Sequence, residues 1–137
     1  MGFEAIEAWL LGNAAAEDDT LPCFEELVWR LVTAGLPLDR ASLHVGTLHP
    51  QVYGFAWNWN AADGFCDEVK VSEDALQSDA YRRNPLAGVI GRGQVYRGKT
   101  TDPDAVARHP LMGELAKQGI VEYLALPLRS GGRYHNA

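Results

Sequence analysis

The sequence predicts an α+β fold in which helices flank an antiparallel sheet. Hydrophobic residues recur at three- and four-residue steps near the start of the chain, as they do on one face of a helix. The period then changes to two over three successive segments, which is typical of a meander of strands. Because these strands follow one another directly, the order differs from the strand–helix alternation of nucleotide-binding parallel sheets.

Two helices are predicted at the N-terminus. The first spans residues 3–12 and stops at Gly12. The second begins at Thr20, a residue type that caps helices, and continues as a long apolar stripe. It ends before Gly35, because glycine is favoured just after the last helical turn.

Three strands are predicted next, at residues 41–48, 52–60 and 65–71, with turns at His49-Pro50 and at residues 61–64. One face of the second strand carries four aromatic side chains, those of Tyr53, Phe55, Trp57 and Trp59. Such a face either walls a small-molecule pocket or packs against a helix or a partner chain. Packing is the more common role of large aromatic side chains, and both alternatives stay open.

The second half of the chain predicts shorter elements. A helix is expected over residues 72–84, with Ser78 as a cap, and Asn84-Pro85 interrupts it. There follow a helical turn at 85–90, an extended segment at 94–99, a loop or short helix at 101–109, a helix at 110–118 and a strand at 121–128. The turn Ser130-Gly131-Gly132 then predicts a returning strand, of which residues 133–137 supply the start.

Composition and charge limit the classes of function. The 137 residues suit one domain with its own core, and the net charge of −6 opposes binding to a nucleic-acid backbone. The apolar runs are shorter than the roughly 18 residues of a membrane helix, and Glu4 and Glu7 lie where a signal peptide would be basic. We therefore expect a cytoplasmic protein, with neither a membrane nor a nucleic acid as its partner.

The stretch GQVYRGKT, Gly93 to Thr100, matches the Walker A pattern of P-loop nucleotide hydrolases. In a P-loop, Gly93, Gly98, Lys99 and Thr100 would hold the phosphates and the magnesium ion. However, the valine and tyrosine inside the stretch favour extended backbone, and no apolar strand ending in aspartate supplies a magnesium ligand. We expect a strand at 94–97 followed by an exit turn, with a small nucleotide-binding enzyme as the alternative.

No other group of residues indicates catalysis or metal binding. The four histidines share no HxxxH or HxH spacing, and the two cysteines form no CxxC pair. Cys66 precedes two carboxylates, which raise a thiol pKa rather than lower it. We expect no catalytic residue, no metal ligand and no cofactor in this chain.

Several phrases, taken together and in order, resemble the GAF-like sensory domain that precedes the catalytic domain in many bacterial class III adenylate/guanylate cyclases. They are AGLPL at 34–38, SLH at 42–44, TLHP at 47–50, YRRNPL at 81–86 and YLALPL at 123–128. The resemblance extends over about residues 20–137. It implies a GAF/PAS-like antiparallel sheet flanked by helices, and a family chain that continues past Ala137 into the last strand, a signalling helix and a cyclase domain.

The resemblance also implies a regulatory role without catalysis by this chain. We expect a sensory domain at residues 20–137, preceded by a helix and linker at 1–19, acting in cyclic-nucleotide signalling. It would bind a small ligand or rearrange a homodimer formed through its N-terminal helices. The candidate ligand-binding residues are His44, Phe55, Trp57, Trp59 and Tyr123. There are two alternatives to a sensory domain: the P-loop enzyme, and a purely structural dimerisation module that binds no ligand.

Overall fold

The computed structural model describes residues 2–46, 54–72, 74, 78–130 and 133–137, and for residues 130 and 133–135 the backbone alone. The chain divides into two compact units. Unit 1 comprises Met1–Leu43 and Ala56–Val69, and unit 2 comprises His44–Phe55 and Lys70–Ala137. The expected boundary at residue 20 stays a prediction.

Unit 1 begins with two helices, α1 at Phe3–Leu11 and α2 at Thr20–Thr33, separated by a 3₁₀ turn at Ala14–Ala16. The cap of α2 is Asp19, whose carboxylate accepts a hydrogen bond from the N–H of Leu21 at 3.2 Å. Thr20, the predicted cap, is instead the first helical residue. A carboxylate suits this position because it accepts from a free N–H and faces the positive end of the helix dipole.

The two helices of unit 1 pack through their apolar faces. Ile6 and Trp9 of α1 are buried, as are Phe24 and Val28 of α2. The guanidinium of Arg30 in α2 lies 4.6 Å from the ring centroid of Trp9, which makes a cation–π contact between the helices. The first helix is therefore packed into unit 1.

Three strands form an antiparallel sheet in the order β1–β2–β3, with β1 at Arg40–Gly46, β2 at Gly54–Asn60 and β3 at Cys66–Val71. This confirms the predicted meander, although the predicted turn at His49-Pro50 and the aromatic Tyr53 lie outside the described residues. In unit 1, Trp59 of β2 is buried and meets Trp29 of α2 edge to face, with ring centroids 5.4 Å apart. At this end of β2 the aromatic face packs against a helix.

The remainder of unit 2 consists of α3 at Asp79–Arg82, α4 at Leu86–Arg92, β4 at Tyr96–Lys99, α5 at Pro103–Arg108, α6 at Pro110–Lys117, β5 at Glu122–Ala125, β6 at Leu128–Ser130 and β7 at Arg133–Asn136. Strand β4 pairs with β5 and β6 pairs with β7, both antiparallel. The buried apolar residues here include Val89 of α4, Met112 and Leu115 of α6, and Ala125 of β5. These helices and the β4–β5 pair thus supply the core of unit 2.

Two predicted elements of unit 2 differ in extent. The strand expected at 121–128 is two strands, β5 and β6, because Pro127 between them has no N–H for a ladder and the chain changes its pairing partner there. The helix expected at 72–84 is not continuous, since Ser72 is not helical, Asp74 is, and a separate helix, α3, begins after Ser78; residues 73 and 75–77 lie outside the described residues. Ser78 does cap it, as predicted, by accepting a hydrogen bond from the N–H of Tyr81 at 3.2 Å.

The last residues of the chain are held in unit 2 by backbone pairing. His44 of β1 and Ala137 exchange both of their N–H···O=C hydrogen bonds, at 2.7 and 3.0 Å. The N–H of Gly46 donates to the side-chain oxygen of Asn136 at 2.9 Å. The predicted returning strand is therefore β7, and Ala137, the residue after it, pairs with His44 of β1.

Gly54 permits the close approach of β1 and β2. A Cβ at this position would lie 2.6 Å from the carbonyl oxygen of Val45, which is closer than van der Waals contact allows. Gly54→Ala should lower the free energy of unfolding by about 1–3 kcal/mol, as overpacking does. Gly91→Ala is the matched control, because a Cβ there meets nothing within 4 Å and alanine favours a helix. Urea denaturation measures both, and equal stability of the two variants would contradict this account.

Candidate functional site

Three helices of unit 2 end on an arginine. Arg82 is the last residue of α3, Arg92 of α4 and Arg108 of α5. A cation at a helix C-terminus interacts favourably with the carbonyl groups exposed there, which accounts for each arginine taken singly. All three residues, however, line one and the same cleft, and helix stability alone does not require this.

The cleft has a volume of about 480 Å³, which is sufficient for a small organic molecule. The three arginines share its polar lining with Asn84, Gln94 and His109. Its less polar wall includes Val89, Val95 and Tyr96. The lining thus combines three cationic residues with an apolar and aromatic surface.

The charge of the cleft is opposite to that of the whole chain. The chain has 12 basic and 18 acidic residues, but the described residues that line the cleft include three arginines and no aspartate or glutamate. Among the described residues, none of the three arginines has a salt-bridge partner. A cleft lined by arginines and by no carboxylate favours an anion.

A hydrogen bond joins two of the arginine-bearing helix ends. His109, between α5 and α6, donates its Nδ1–H to the backbone carbonyl of Arg83 at 2.8 Å, because a carbonyl oxygen can only accept. Arg83 directly follows Arg82, and His109 directly follows Arg108. This contact therefore holds the C-terminal ends of α3 and α5 close to each other.

Prolines and a glycine determine where these helices stop. Asn84 and His109 each precede a proline, and a residue in that position avoids the helical conformation; His109 is extended, with φ −127° and ψ 107°. The Oδ1 of Asn84 accepts a hydrogen bond at 2.9 Å from the first N–H of α4. Helix α4 ends at Gly93, whose φ of 65° is left-handed and suits glycine.

Tyr96 of β4 forms one wall of the cleft. Its ring meets that of His109 edge to face at 5.1 Å between centroids, and lies 6.0 Å from the ring of Tyr123 in β5. Burial raises the pKa of Tyr96; the positive charge of Arg108 opposes this effect, and the carboxylate of Asp102 adds to it. The phenol therefore stays protonated at neutral pH and can donate a hydrogen bond.

Arg92 folds back over its own helix at Gly88. A Cβ on Gly88 would lie 3.0 Å from Nη2 of Arg92 and 3.4 Å from Oε1 of Gln94. Gly88 precedes Arg92 by one helical turn, so the two positions face each other on the surface of α4. The missing side chain therefore leaves the space in which the Arg92 guanidinium lies.

None of the five residues predicted to bind a ligand is among the described residues that line this cleft. Trp57 and Trp59 are buried in unit 1, whereas His44, Phe55 and Tyr123 are half-buried in unit 2. Tyr123 contacts the tyrosine that forms the cleft wall. A ligand-binding role for the five stays a prediction.

The stretch that matches the Walker pattern does not have the backbone of a P-loop. Gly98 and Lys99 lie within β4 rather than in the expected exit turn, and the next helix begins at Pro103. The hydroxyl of Thr100 donates to the carbonyl of Ile120 at 2.7 Å, so it is already bound to the protein. The stretch contributes to the cleft instead, through Gln94, Val95 and Tyr96.

Both cysteines are held as thiols. Burial first, and then neighbouring carboxylates, raise the pKa of Cys23 and of Cys66, which disfavours the nucleophilic thiolate. In the described part of the chain, no three or more His, Cys, Asp or Glu side chains are grouped so that they could hold a metal ion. The described helices also include none with the length and apolar character needed to cross a bilayer.

The sequence contains a signal for the arginines that our sequence analysis did not use. Each one stands just before a helix stop: Arg82 before Arg83-Asn84-Pro85, Arg92 before Gly93, and Arg108 before His109-Pro110. This pattern places a cation at each helix end. It does not show that the three helix ends line one cleft, because that depends on how β4 and the helices after it pack against α3 and α4.

Comparison of the chain with protein-family models, curated proteins and solved structures gave no match. The cleft and the phrases that resemble GAF-like domains are therefore the basis for assigning a function. The YRRNPL phrase belongs to both, since Arg82, Asn84 and Pro85 line the cleft.

The Thr100 hydroxyl should contribute to stability rather than to ligand binding. Thr100→Val keeps the shape of the side chain but removes the donor to the Ile120 carbonyl, which should cost about 1–2 kcal/mol of unfolding free energy. Thr100→Ser keeps the hydroxyl and should lose less of the unfolding free energy than Thr100→Val does. Urea denaturation compares the two variants, and a serine variant as unstable as the valine variant would show that the hydrogen bond is unimportant.

His44 should make the stability depend on pH. Burial lowers the pKa of His44, so the unfolded chain takes up a proton there at higher pH than the folded chain does. The corresponding stability is complete above the ordinary pKa of about 6.5, and is lost as the pH falls from there toward the lower folded-state pKa. Between about pH 7.5 and 5.5, the wild type should lose more stability in urea than His44→Gln does. Equal losses would contradict this expectation.

Proposed function

We propose that the chain is a non-catalytic sensory domain that binds a small anionic molecule in the arginine-lined cleft. The observation that carries the proposal is the presence of Arg82, Arg92 and Arg108, with no carboxylate, in the described lining of one cleft of about 480 Å³. A concave, partly apolar site with a few convergent polar groups is the usual form of a small-molecule site.

The acidity of the chain does not oppose this proposal. At physiological ionic strength, charges further apart than about 8 Å are largely screened, so a bound anion responds mainly to nearby groups. Those groups are three guanidiniums and the ring of His109. The carboxylate of Asp102, which raises the pKa of Tyr96, is already engaged in capping α5, where it accepts a hydrogen bond from the N–H of Asp104 at 3.0 Å.

The resemblance to GAF-like domains supports the regulatory part of the proposal. In that family the domain precedes a cyclase, so binding of the anion would act on cyclic-nucleotide synthesis elsewhere in the protein, in the cytoplasm. A homodimer through the N-terminal helices would transmit the change. The exposure of Phe3, Leu10 and Leu11 on α1, at 58%, 40% and 78%, is consistent with such a contact.

The two alternatives have less support. A P-loop enzyme would need a loop that wraps phosphates at residues 93–100, whereas most of that stretch before Thr100 is strand. A purely structural module gives no reason for three arginines and no carboxylate in the described lining of one cleft.

Thermal unfolding in sodium chloride, sulfate, phosphate and succinate at equal ionic strength tests the proposal. A ligand that binds only the folded state raises its Tm, so at least one multivalent anion should stabilise the wild type more than chloride does. The variant with Arg82, Arg92 and Arg108 all replaced by Gln should lose this increment. Sulfate and phosphate also stabilise proteins by exclusion from their surface, so the difference between wild type and variant is the measure.

Arg97→Gln is the control for that experiment. Arg97 pairs with Glu122 on the β4–β5 ribbon and is not among the residues that line the cleft, so its loss should leave the increment unchanged. If the triple variant responds to every anion as the wild type does, the cleft is not a ligand site and the proposed function is wrong.

A further inference from the structure

We infer that the ligand of the cleft is a phosphate monoester of a small organic molecule, bound as its dianion among the guanidinium groups of Arg82, Arg92 and Arg108. This inference rests on the proposed function and names the chemical class of the anion. Its basis is the number and placement of the cations, the shape of the remaining wall and the position of Gly88.

The number of guanidiniums favours a phosphate over a carboxylate. A carboxylate has two oxygens in one plane, and a single arginine can satisfy both of them in a bidentate pair. A phosphate monoester has three terminal oxygens directed along different tetrahedral bonds. Arginines that reach the cleft from the ends of three different helices suit three acceptors better than two.

The net charge favours a monoester over a diester. A phosphodiester, including a cyclic nucleotide, carries one negative charge, whereas a monoester carries up to two at neutral pH. Three guanidiniums without a carboxylate in the described lining leave a local charge of about +3, which a dianion neutralises more completely.

The rest of the cleft offers a surface for the organic part of the ligand. Val95 is 62% exposed although it lines the cleft, and Tyr96 adds an aromatic residue to the same lining. The volume of about 480 Å³ is larger than a phosphate group alone requires. A bound organic group would cover this apolar surface, which is favourable in water.

Gly88 lies in the lining of the cleft and determines the position of the Arg92 side chain. Its missing Cβ leaves the space in which the Arg92 guanidinium lies, with Nη2 only 3.0 Å from where a Cβ would be. Gly88→Ala should displace this flexible side chain and weaken phosphate binding. It should not unfold α4, because alanine is the better helix former.

Isothermal titration with phenyl phosphate, succinate, inorganic sulfate and cyclic AMP tests the ligand class on the whole chain. Phenyl phosphate should bind more tightly than the other three. Each of the single variants Arg82→Gln, Arg92→Gln and Arg108→Gln should weaken it by about tenfold or more, as expected for the loss of a charged hydrogen bond. Arg97→Gln should bind as the wild type does.

The pH dependence of the affinity for phenyl phosphate shows whether the dianion is the form that binds. With a second pKa near 6, roughly a quarter of phenyl phosphate is dianionic at pH 5.5 and nearly all of it at pH 7.5, so its affinity relative to sulfate should rise about fourfold. Sulfate keeps its charge over this range. Changes in the protein's own groups around the cleft, namely the arginines, His109, Tyr96 and Asp102, act on both anions and cancel in the ratio.

The outcomes separate the inference from the proposed function. Arginine-dependent binding in which succinate or cyclic AMP is at least as tight as phenyl phosphate overturns the phosphate monoester and leaves the sensory site standing. A ratio to sulfate that does not change with pH also overturns it. If no probe binds the wild type, both the inference and the proposed function fail. If Gly88→Ala binds phenyl phosphate as tightly as the wild type, the positioning role of Gly88 is wrong.

Discussion

The termination of three short helices determines where charge lies in unit 2. A helix cannot pass easily through a residue that precedes proline, and it ends readily at a left-handed glycine. Asn84, Gly93 and His109 impose these stops, and an arginine occupies the last helical position in each case. The cations are therefore placed by backbone constraints, and long side chains are needed only to reach the shared cleft.

Holding these ends together requires contacts that do not depend on charge. The hydrogen bond from His109 to the Arg83 carbonyl joins two of the ends, and the edge-to-face contact between His109 and Tyr96 ties them to β4. In turn, β4 is held by its register with β5, in which Tyr96 lies opposite Ala125. These neutral contacts position the arginine-bearing helix ends, and an anion bound in the cleft would add charge-assisted hydrogen bonds to them.

Much of the fold followed from the sequence because local signals agreed with the tertiary structure. The long apolar stripe of α2 and the two-residue period of the meander agree with the helix and the strands that form there. One misplaced boundary, in the strand expected at 121–128, arose where a proline acted through pairing rather than locally. Pro127 divides what reads as one apolar strand, and the division is apparent only once β5 and β6 are seen to pair with different strands.

The site was less predictable than the fold. The aromatic residues of β2 were predicted to bind a ligand because they are large and share a face. Trp59, however, is in contact with Trp29 inside unit 1. The Walker-like letters likewise described a strand. Three single arginines separated by ten or more residues give no local pattern, and their convergence depends on long-range packing. The sequence predicted the interruption at Asn84-Pro85, but not the cleft that the three helix ends line.

The central claim is that these three arginines act together on one anion. The arginine side-chain N–H resonances, followed by two-dimensional NMR during titration with phenyl phosphate, report it most directly. We expect the Nε–H signals of Arg82, Arg92 and Arg108 to shift along one binding curve with a single Kd, while that of Arg97 stays in place. Separate curves for the three arginines, or shifts centred on Lys99 and Thr100 instead, would contradict the account.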